Sequence, residues 1–350
     1  MTDDQAFPAR TTVRIPTASG DEIEAWVYRP AGEGPHPAVV MAHGIGAVKA
    51  GGLQPFAERF QREGFAAVVF DYLQWGGSDG RPRDELSVPR ELADYGTVIG
   101  WTAAQPDVDR SRIFAWGTSF AGMHIVELAV SDHRLAGALA QSPLTDGLAG
   151  AALIPLAKSI RLMGLALLDR AGSLVGRPPL YVPNSGGPGD LAVGATEDAL
   201  FGLKLMTPRE PTHWHNRVAA RSLLSVAAHR PVRRAARIRI PILLIVPEED
   251  TMAPVGPALR VAERAPRAEL FRSRGGHYDV YEGGKDHHNV LNIEVEFLRR
   301  HARSASMWSG ERSIDVDVRA ESTSPSSPPL PHDVSAGAPP VPSRAPACPP

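Results

Sequence analysis

The sequence predicts an α/β fold, with a mostly parallel sheet flanked by helices and a helical cap inserted into it. Three observations predict this class. Short apolar runs alternate with helical patterns over residues 1–145, the alternation stops over residues 146–237, and it resumes over residues 238–303. Strands separated by helices of this length form right-handed crossovers, which build parallel sheets. We therefore expect an α/β core in two parts, 1–145 and 238–303, with a helical cap at 146–237.

The individual elements follow from the local pattern. Residues 11–16 and 23–28 alternate in the manner of strands on either side of a turn at 18–21. Buried strands and the helices between them are then predicted in chain order, with strands at 38–42, 66–70, 113–116 and 135–140 and helices at 55–63, 90–104 and 120–130. After the cap, strands are predicted at 240–246 and 269–272, and a closing helix at 289–300.

The composition excludes several function classes. The 350 residues carry 37 basic and 39 acidic side chains, for a formal net charge of −2. This balance removes the electrostatic basis for general nucleic-acid binding. The single cysteine, Cys348, excludes an internal disulfide framework and a cysteine-based zinc site.

The sequence shows no targeting or membrane-spanning segment, so we expect a cytoplasmic protein. The first ten residues lack the basic and apolar regions of a secretory signal. The longest apolar stretch, 148–168, contains Lys158 and Arg161 near its middle, where a membrane span tolerates charge least. Residues 304–350 are rich in proline and serine without an apolar period, which predicts a disordered tail.

The clearest chemical signal is the segment GTSFAG, residues 117–122, between a predicted strand and a predicted helix. A nucleophile elbow needs this strand–turn–helix context, because the sharp turn exposes the serine hydroxyl. Small residues are needed two positions before and after the serine, and Gly117 and Ala121 occupy them. The usual residue at the second position is glycine, so Ala121 is a mild departure. The segment predicts Ser119 as a nucleophile.

A serine nucleophile needs a histidine base and a carboxylate that orients it. His277 lies on a glycine-supported loop after the strand at 269–272, and Asp250 follows the strand at 240–246. Catalytic groups gather at the carboxyl ends of strands in such sheets. For the acid, Glu249 is the neighbouring alternative and Asp146 a more distant one.

The other histidines that the pattern singles out have plainer interpretations. His124 lies on the helix after Ser119 and is expected in the core. His287 and His288 are expected to be solvated at the start of the last helix. His213 and His215 resemble a metal-binding pair, but the sequence places no carboxylate or third histidine beside them, so no metal site is expected.

A developing oxyanion needs preorganised donors. The backbone N–H of Phe120 should supply one and that of Ile45, in the HGIG segment 43–46, the other. His43 is expected to hold this loop in place. Residues expected to line the substrate pocket are His43, Tyr72, Trp75 and Trp214.

The sequence resembles the α/β-hydrolase superfamily in the order of five segments, namely HGIG, FDYLQWGGSDG, GTSFAG, EEDTMAP and GGHYDVYEG. More narrowly, they are similar to bacterial hydrolases related to dienelactone hydrolases, acetylxylan esterases and X-Pro dipeptidyl peptidases. The cap segment THWHNRVAARSLLSVAAHRPVRRAARIRIPILLIV is similar to an actinobacterial subgroup of hydrolases. That subgroup also resembles fungal enzymes that hydrolyse or transfer polyketide acyl groups. The resemblance spans about residues 10–302. It implies Ser119, Asp250 and His277 as the triad, with Phe120 and Ile45 as oxyanion donors.

These features predict a serine hydrolase that cleaves a carboxylic ester or thioester of a small molecule through an acyl-enzyme, without a cofactor. An apolar acyl pocket is expected from cap side chains, namely Leu153, Ile154, Leu156, Leu162, Met163, Leu165 and Leu167. One alternative is an acyltransferase for a polyketide-like acyl group. Another is an aminopeptidase-like hydrolase, for which Glu197 and Asp198 would anchor a free amine. A non-catalytic ligand-binding protein is the third alternative. Oligomeric state and natural substrate stay open.

Overall fold

The computed structural model describes residues 7–310, with burial and side-chain contacts as far as residue 304. One eight-stranded sheet carries the fold, and two small two-stranded sheets accompany it. The strands are β1 Thr11–Pro16, β2 Glu22–Tyr28, β3 His36–Ala42, β4 Ala66–Phe70, β5 Val108–Thr118, β6 Leu135–Gln141, β7 Tyr181–Val182, β8 Ser185–Gly186, β9 Gly194–Ala195, β10 Val218–Ala219, β11 Ile242–Pro247 and β12 Ala268–Ser273.

Nine α-helices lie within the described residues. They are α1 Gln54–Arg62, α2 Val88–Ala103, α3 Phe120–Ser131, α4 Gly147–Ala151, α5 Leu156–Leu174, α6 Glu197–Met206, α7 Ser222–Ala228, α8 Val255–Arg264 and α9 His287–Gly310. A 3₁₀ helix, Pro231–Arg237, precedes β11.

The eight-stranded sheet has the order β1-β2-β4-β3-β5-β6-β11-β12. Only β1 with β2 and β2 with β4 pair antiparallel, and every other neighbouring pair is parallel. The expected fold class, a mostly parallel sheet flanked by helices, is confirmed. In such a sheet the carboxyl ends of the parallel strands meet along one edge, where loops can bring side chains from distant sequence positions together.

Side chains of the central strands pack into apolar layers on both faces of the sheet. In β3, Val40 and Ala42 belong to one layer, whereas Val39 and Met41 belong to the other. This alternation follows from the two-residue period of a strand. Helix α9 covers the second layer, and its buried Glu294 accepts a hydrogen bond from the indole N–H of Trp116 at 2.9 Å. Burial raises the pKa of Glu294 to about 8.

The segment between β6 and β11, residues 146–237, is called the cap below. Helices dominate it as expected, but the strand pairs β7–β10 and β8–β9 were not predicted. Strands of two residues are too short to show a period in sequence. Two buried carboxylates fasten the cap: Asp146 pairs with Arg230 and Asp169 with Arg221, each at 2.7 Å.

Two further expectations concern the long apolar stretch and the end of the chain. No helix within residues 7–310 combines the length and apolarity that crossing a membrane requires. Helix α9 continues to Gly310, so the expected start of the tail at residue 304 was wrong. The rest of the expected tail, including Cys348, lies outside the described residues.

Candidate active site

Ser119 occupies a sharp turn between β5 and α3. Its backbone has φ 56° and ψ −118°, a positive φ that non-glycine residues rarely adopt. Gly117 is required here, because a Cβ at this position would lie 2.7 Å from the side chain of Ile125 and 2.8 Å from the carbonyl oxygen of Ala121. The methyl group of Ala121 is accommodated in the fully buried start of α3. The departure from glycine therefore leaves the turn intact.

The structure brings Ser119, His277 and Asp250 together at the carboxyl edge of the sheet. His277 Nε2 lies 2.9 Å from Ser119 Oγ, and His277 Nδ1 lies 2.7 Å from Asp250 Oδ2. The other oxygen of Asp250 accepts the backbone N–H groups of Met252 and Ala253 at 2.8 and 2.7 Å. The carboxylate is therefore fixed by its own turn, and it orients the imidazole so that Nε2 faces the serine hydroxyl.

The surroundings of His277 favour its cationic form. Burial alone would lower the pKa of this imidazole, but the charge of Asp250 and its hydrogen bond, together with the charge of Asp198, raise the pKa above its ordinary value. The side chains of His277 and Asp250 are 1% and 2% exposed. A base that is stabilised once it has taken a proton is suited to accept one from a serine hydroxyl.

The alternative acids occupy other places. The Asp146 side chain accepts the N–H groups of Leu148 and Ala149 at the start of α4, so it caps that helix as well as pairing with Arg230. Burial would raise the pKa of Asp146, but the hydrogen bond and charge of Arg230, together with the two backbone N–H groups, lower it below its ordinary value. Glu249 is exposed. Neither carboxylate contacts His277.

The HGIG loop, residues 43–46, lies next to Ser119. Gly44, Ile45 and Phe120 line the same cavity as Ser119. A Cβ at Gly44 would lie 2.9 Å from Ser119 Cβ, so glycine permits the close approach. The loop is tied to the cap, because the Trp214 indole N–H donates to the Gly46 carbonyl at 2.9 Å and the Asn184 amide donates to the Ile45 carbonyl at 3.1 Å. Asn184 was not singled out by the sequence pattern.

Three of the four expected pocket residues do not line the cavity; of that group only Trp214 does. His43, Tyr72 and Trp75 are nearly completely buried. They pack against one another, with the His43 ring centroid 5.0 Å from that of Tyr72 and 6.4 Å from that of Trp75. These ring contacts accompany the burial of all three side chains in the core, away from the cavity.

A buried ion pair, which the sequence pattern did not reveal, supports this region. Lys49 is 2% exposed, and its ammonium lies 2.6 Å from Asp71 Oδ2 and 2.6 Å from Glu24 Oε1. Burial would raise the pKa of Asp71, but the Lys49 charge and hydrogen bonds lower it below its ordinary value. The same carboxylate accepts the backbone N–H groups of Lys49 and Gly77. Asp71 therefore fixes the two glycine-containing loops that follow β3 and β4.

A cavity of about 180 Å³ lies between the sheet edge and the cap, with Ser119 in its wall. Its lining is mainly apolar, and within the described residues it contains no aspartate or glutamate. Of the expected acyl-pocket residues, Leu153, Ile154, Leu162 and Met163 line it. Leu156 and Leu167 do not, because they lie on the outer face of α5 and are 77% and 56% exposed. Leu165 packs against the core instead.

The remaining histidines divide into core and surface positions. His124 is fully buried as expected, with Nε2 2.8 Å from Glu91 Oε2, and burial lowers its pKa to about 3. His288 is exposed as expected. The expectation for His287 was wrong, because it is 6% exposed and its Nδ1 lies 3.0 Å from the Val280 carbonyl oxygen.

The expectation that no carboxylate accompanies His213 and His215 was also wrong. Asp84, from the loop before α2, lies 4.0 Å from His213 Nε2 and 3.6 Å from His215 Nδ1. The three side chains offer atoms within 4.8 Å of one another. Asp84 is already bound by Arg217 Nε at 2.7 Å, so the carboxylate is part of an ion-pair network.

Comparison with known proteins gives relatives of several kinds. A family model for X-Pro dipeptidyl-peptidases (S15 family) matches residues 19–155. The quorum-quenching protein AidA of Acinetobacter baumannii is 37% identical over 279 residues, which are 80% of this chain and 91% of that protein. The polyketide transferase af380 of Aspergillus fumigatus is 28% identical over 304 residues, 83% of this chain and 98% of the relative.

Solved structures share the architecture. The α/β hydrolase GrgF from Penicillium sp. sh18 superposes with a TM-score of 0.73 at 26% identity, covering 85% of this chain and all of that one. A complex of DcsB with its substrate analogue has a TM-score of 0.74 at 24% identity, covering 84% of this chain and 100% of the other, and shows the shared fold. Similarity to these proteins extends across both the sheet and the cap.

Proposed function

The chain belongs to the α/β-hydrolase superfamily, and from this premise we propose that it is a serine hydrolase that cleaves a carboxylic ester or thioester with an apolar acyl group. The observation that carries the proposal is the hydrogen-bonded series Ser119–His277–Asp250 beside a mainly apolar cavity. Relatives named as hydrolases or thiohydrolases support the reaction class.

In the proposed reaction, His277 Nε2 takes the hydroxyl proton as Ser119 Oγ attacks the acyl carbonyl carbon. The carbonyl electron pair moves to oxygen, and the N–H groups of Phe120 and Ile45 stabilise that oxyanion. Collapse of the tetrahedral intermediate expels the alcohol or thiol, which receives the proton from His277. Water then attacks the acyl-enzyme with His277 as base, releasing the acid and restoring Ser119.

The cavity favours an acyl group over a peptide amine. An aminopeptidase-like reaction would need a carboxylate in the pocket to bind a free amine, and none lines the cavity in the part of the chain that the structure describes. Glu197 is exposed, and Asp198 is engaged with the His277 backbone. The match to the X-Pro dipeptidyl-peptidase (S15) family model therefore supports the fold of the sheet and Ser119 as nucleophile more than it supports cleavage of peptides.

Acyl transfer is a second candidate, because relatives named polyketide transferases cover most of this chain. It uses the same acyl-enzyme, but an alcohol or amine replaces water in the second step. The two outcomes are separated by supplying a competing alcohol and measuring the ratio of transferred to hydrolysed product. One relative is named a quorum-quenching protein, so quorum-sensing signal molecules belong in the substrate panel.

The test combines covalent labelling with a substrate series. A fluorophosphonate should label wild-type protein at Ser119, and p-nitrophenyl esters of increasing chain length should be hydrolysed. Ser119→Ala should remove both signals while retaining the circular dichroism spectrum. Unlabelled wild-type protein would favour a non-catalytic ligand-binding role, and label on another serine would reject this nucleophile.

A further inference from the structure

Asp198, in the first turn of cap helix α6, contacts both loops that carry the proposed base and acid. Its Oδ2 accepts the backbone N–H of His277 at 2.9 Å and the hydroxyl of Thr251 at 3.2 Å. Thr251 directly follows Asp250. The carboxylate therefore bridges the cap to the two loops that orient the imidazole.

The surroundings of Asp198 are built for this contact. A Cβ at Gly276 would lie 2.8 Å from Asp198 Oδ2, so glycine at the position before His277 leaves room for the carboxylate. Thr196 caps α6 by accepting the N–H of Ala199 at 3.0 Å, which fixes the first turn. A carboxylate there also interacts favourably with the helix dipole. The space left by Gly276 and the Thr196 cap of α6 together determine the position of the Asp198 side chain.

We propose that Asp198 is a positioning residue through which the cap aligns His277 for proton transfer. The proposal rests on the proposed function. Helix α6 also supplies Leu203 and Met206 to the cavity wall. One helix therefore both lines the cavity proposed for the acyl group and accepts a hydrogen bond from the backbone of the proposed base. Because a displacement of about 1 Å can cost about 100-fold in rate, a single carboxylate at this junction can affect catalysis without touching substrate.

The charge of Asp198 offers a readout that a purely structural role would not move. The groups facing His277 are Ser119 and Asp250 at the ring nitrogens, Tyr278 against the ring, and Asp198 at its backbone. Both carboxylates favour the imidazolium. Removing the Asp198 charge should therefore lower the pKa of His277, even where the hydrogen bond is kept.

The test compares three variants. Asp198→Asn keeps an acceptor oxygen but loses the charge, Asp198→Ala loses both, and Glu197→Gln removes an exposed carboxylate of the same helical turn as a matched control. We expect the pKa of His277, followed by NMR of the ring, to fall in both Asp198 variants and to be unchanged in Glu197→Gln. For a p-nitrophenyl ester, kcat should fall about tenfold or more in Asp198→Ala and less in Asp198→Asn.

The NMR measurement separates this inference from the proposed function. If fluorophosphonate fails to label wild-type Ser119, the hydrolase assignment fails, but the His277 titration still tests the link to Asp198. If Asp198→Ala does not fold, Asp198→Asn carries the test. An unmoved His277 titration in Asp198→Asn, or an equal shift in Glu197→Gln, would overturn the proposal.

Discussion

The sheet and the cap hold their functional residues in different ways. At the sheet edge, Ser119 is fixed by a strained turn, and Asp250 is fixed by two backbone N–H groups. In the cap, one helix presents a buried side to the cavity and an exposed side to solvent, as Leu162 at 2% exposure and Leu156 at 77% show. The positions of Ser119 and Asp250 are determined by the backbone, whereas the shape of the cap wall depends on side-chain size.

The difference separates two kinds of function. Reacting groups must be held within a fraction of an ångström, which strand ends and tight turns provide. Discrimination among acyl groups depends on how well a cavity is filled, and side chains there can change without disturbing the reaction. We therefore expect changes at the sheet edge to remove activity and changes in the cap wall to redistribute it among substrates.

After loss of Ser119 itself, the largest effect is expected from the acid. Asp250→Asn keeps the size of the side chain but removes the charge that stabilises the imidazolium and fixes its tautomer. By analogy with the orienting carboxylate of a serine triad, kcat should fall by about 10⁴. Glu249→Gln and Asp146→Asn serve as controls measured with the same p-nitrophenyl ester.

The controls make the comparison specific. Exposed Glu249 should be nearly neutral, and Asp146→Asn should act through the stability of the cap, since it weakens a helix cap and an ion pair. Retention of more than about a tenth of the activity in Asp250→Asn, a loss of only about 1.4 kcal/mol, would reject Asp250 as the acid.

Local rules explain which parts of the site could be predicted from sequence. Ser119, Asp250 and His277 each follow a strand end within a recognisable turn, so short-range signals placed them near one edge. Tyr72 and Trp75 also follow a strand, but which way an aromatic side chain packs depends on distant partners. For Tyr72 these include Tyr95 and His124, with ring centroids 6.2 and 5.7 Å away.

Contacts between distant segments explain what the sequence could not show. Asp84 meets His213 and His215 only after the cap has folded against the loop before α2. The sequence suggests Asp198 only as an anchor for a free amine, yet its carboxylate accepts the backbone N–H of His277. No periodicity or motif connects residues so far apart in the chain, so these roles required the fold.

A smaller effect, about tenfold per pH unit, is expected from titration of the base. In the proposed reaction only neutral His277 accepts the serine proton. Burial lowers the pKa of this imidazole, but Asp250 and Asp198 outweigh burial and raise the pKa above the ordinary 6.5. The acidic limb of kcat/KM should therefore have its midpoint above pH 6.5, with activity rising as pH increases.

Burial also raises the pKa values of Tyr278 and Tyr281 in the cavity wall, so these tyrosines stay neutral and should cause no alkaline loss near pH 9. A flat profile from acid to neutral pH, with chemistry limiting, would contradict His277 as the base.

The smallest effect is expected from the cap wall, where Leu162→Ala should change selectivity more than rate. Removing this buried side chain enlarges the cavity, so longer acyl chains gain room beside Ser119. Each additional methylene that becomes buried contributes about 0.8 kcal/mol, or about fourfold in kcat/KM. The ratio of activity on long to short p-nitrophenyl esters should therefore rise several-fold.

Leu156→Ala, on the exposed face of the same helix, is the matched control and should leave the ratio unchanged. Because a buried Leu→Ala change costs about 2–5 kcal/mol of stability, both variants need thermal unfolding measurements before their kinetics are compared. If both shifted the chain-length profile equally, or neither did, the acyl group would have to bind outside this cavity, and the division of roles between sheet edge and cap would be wrong.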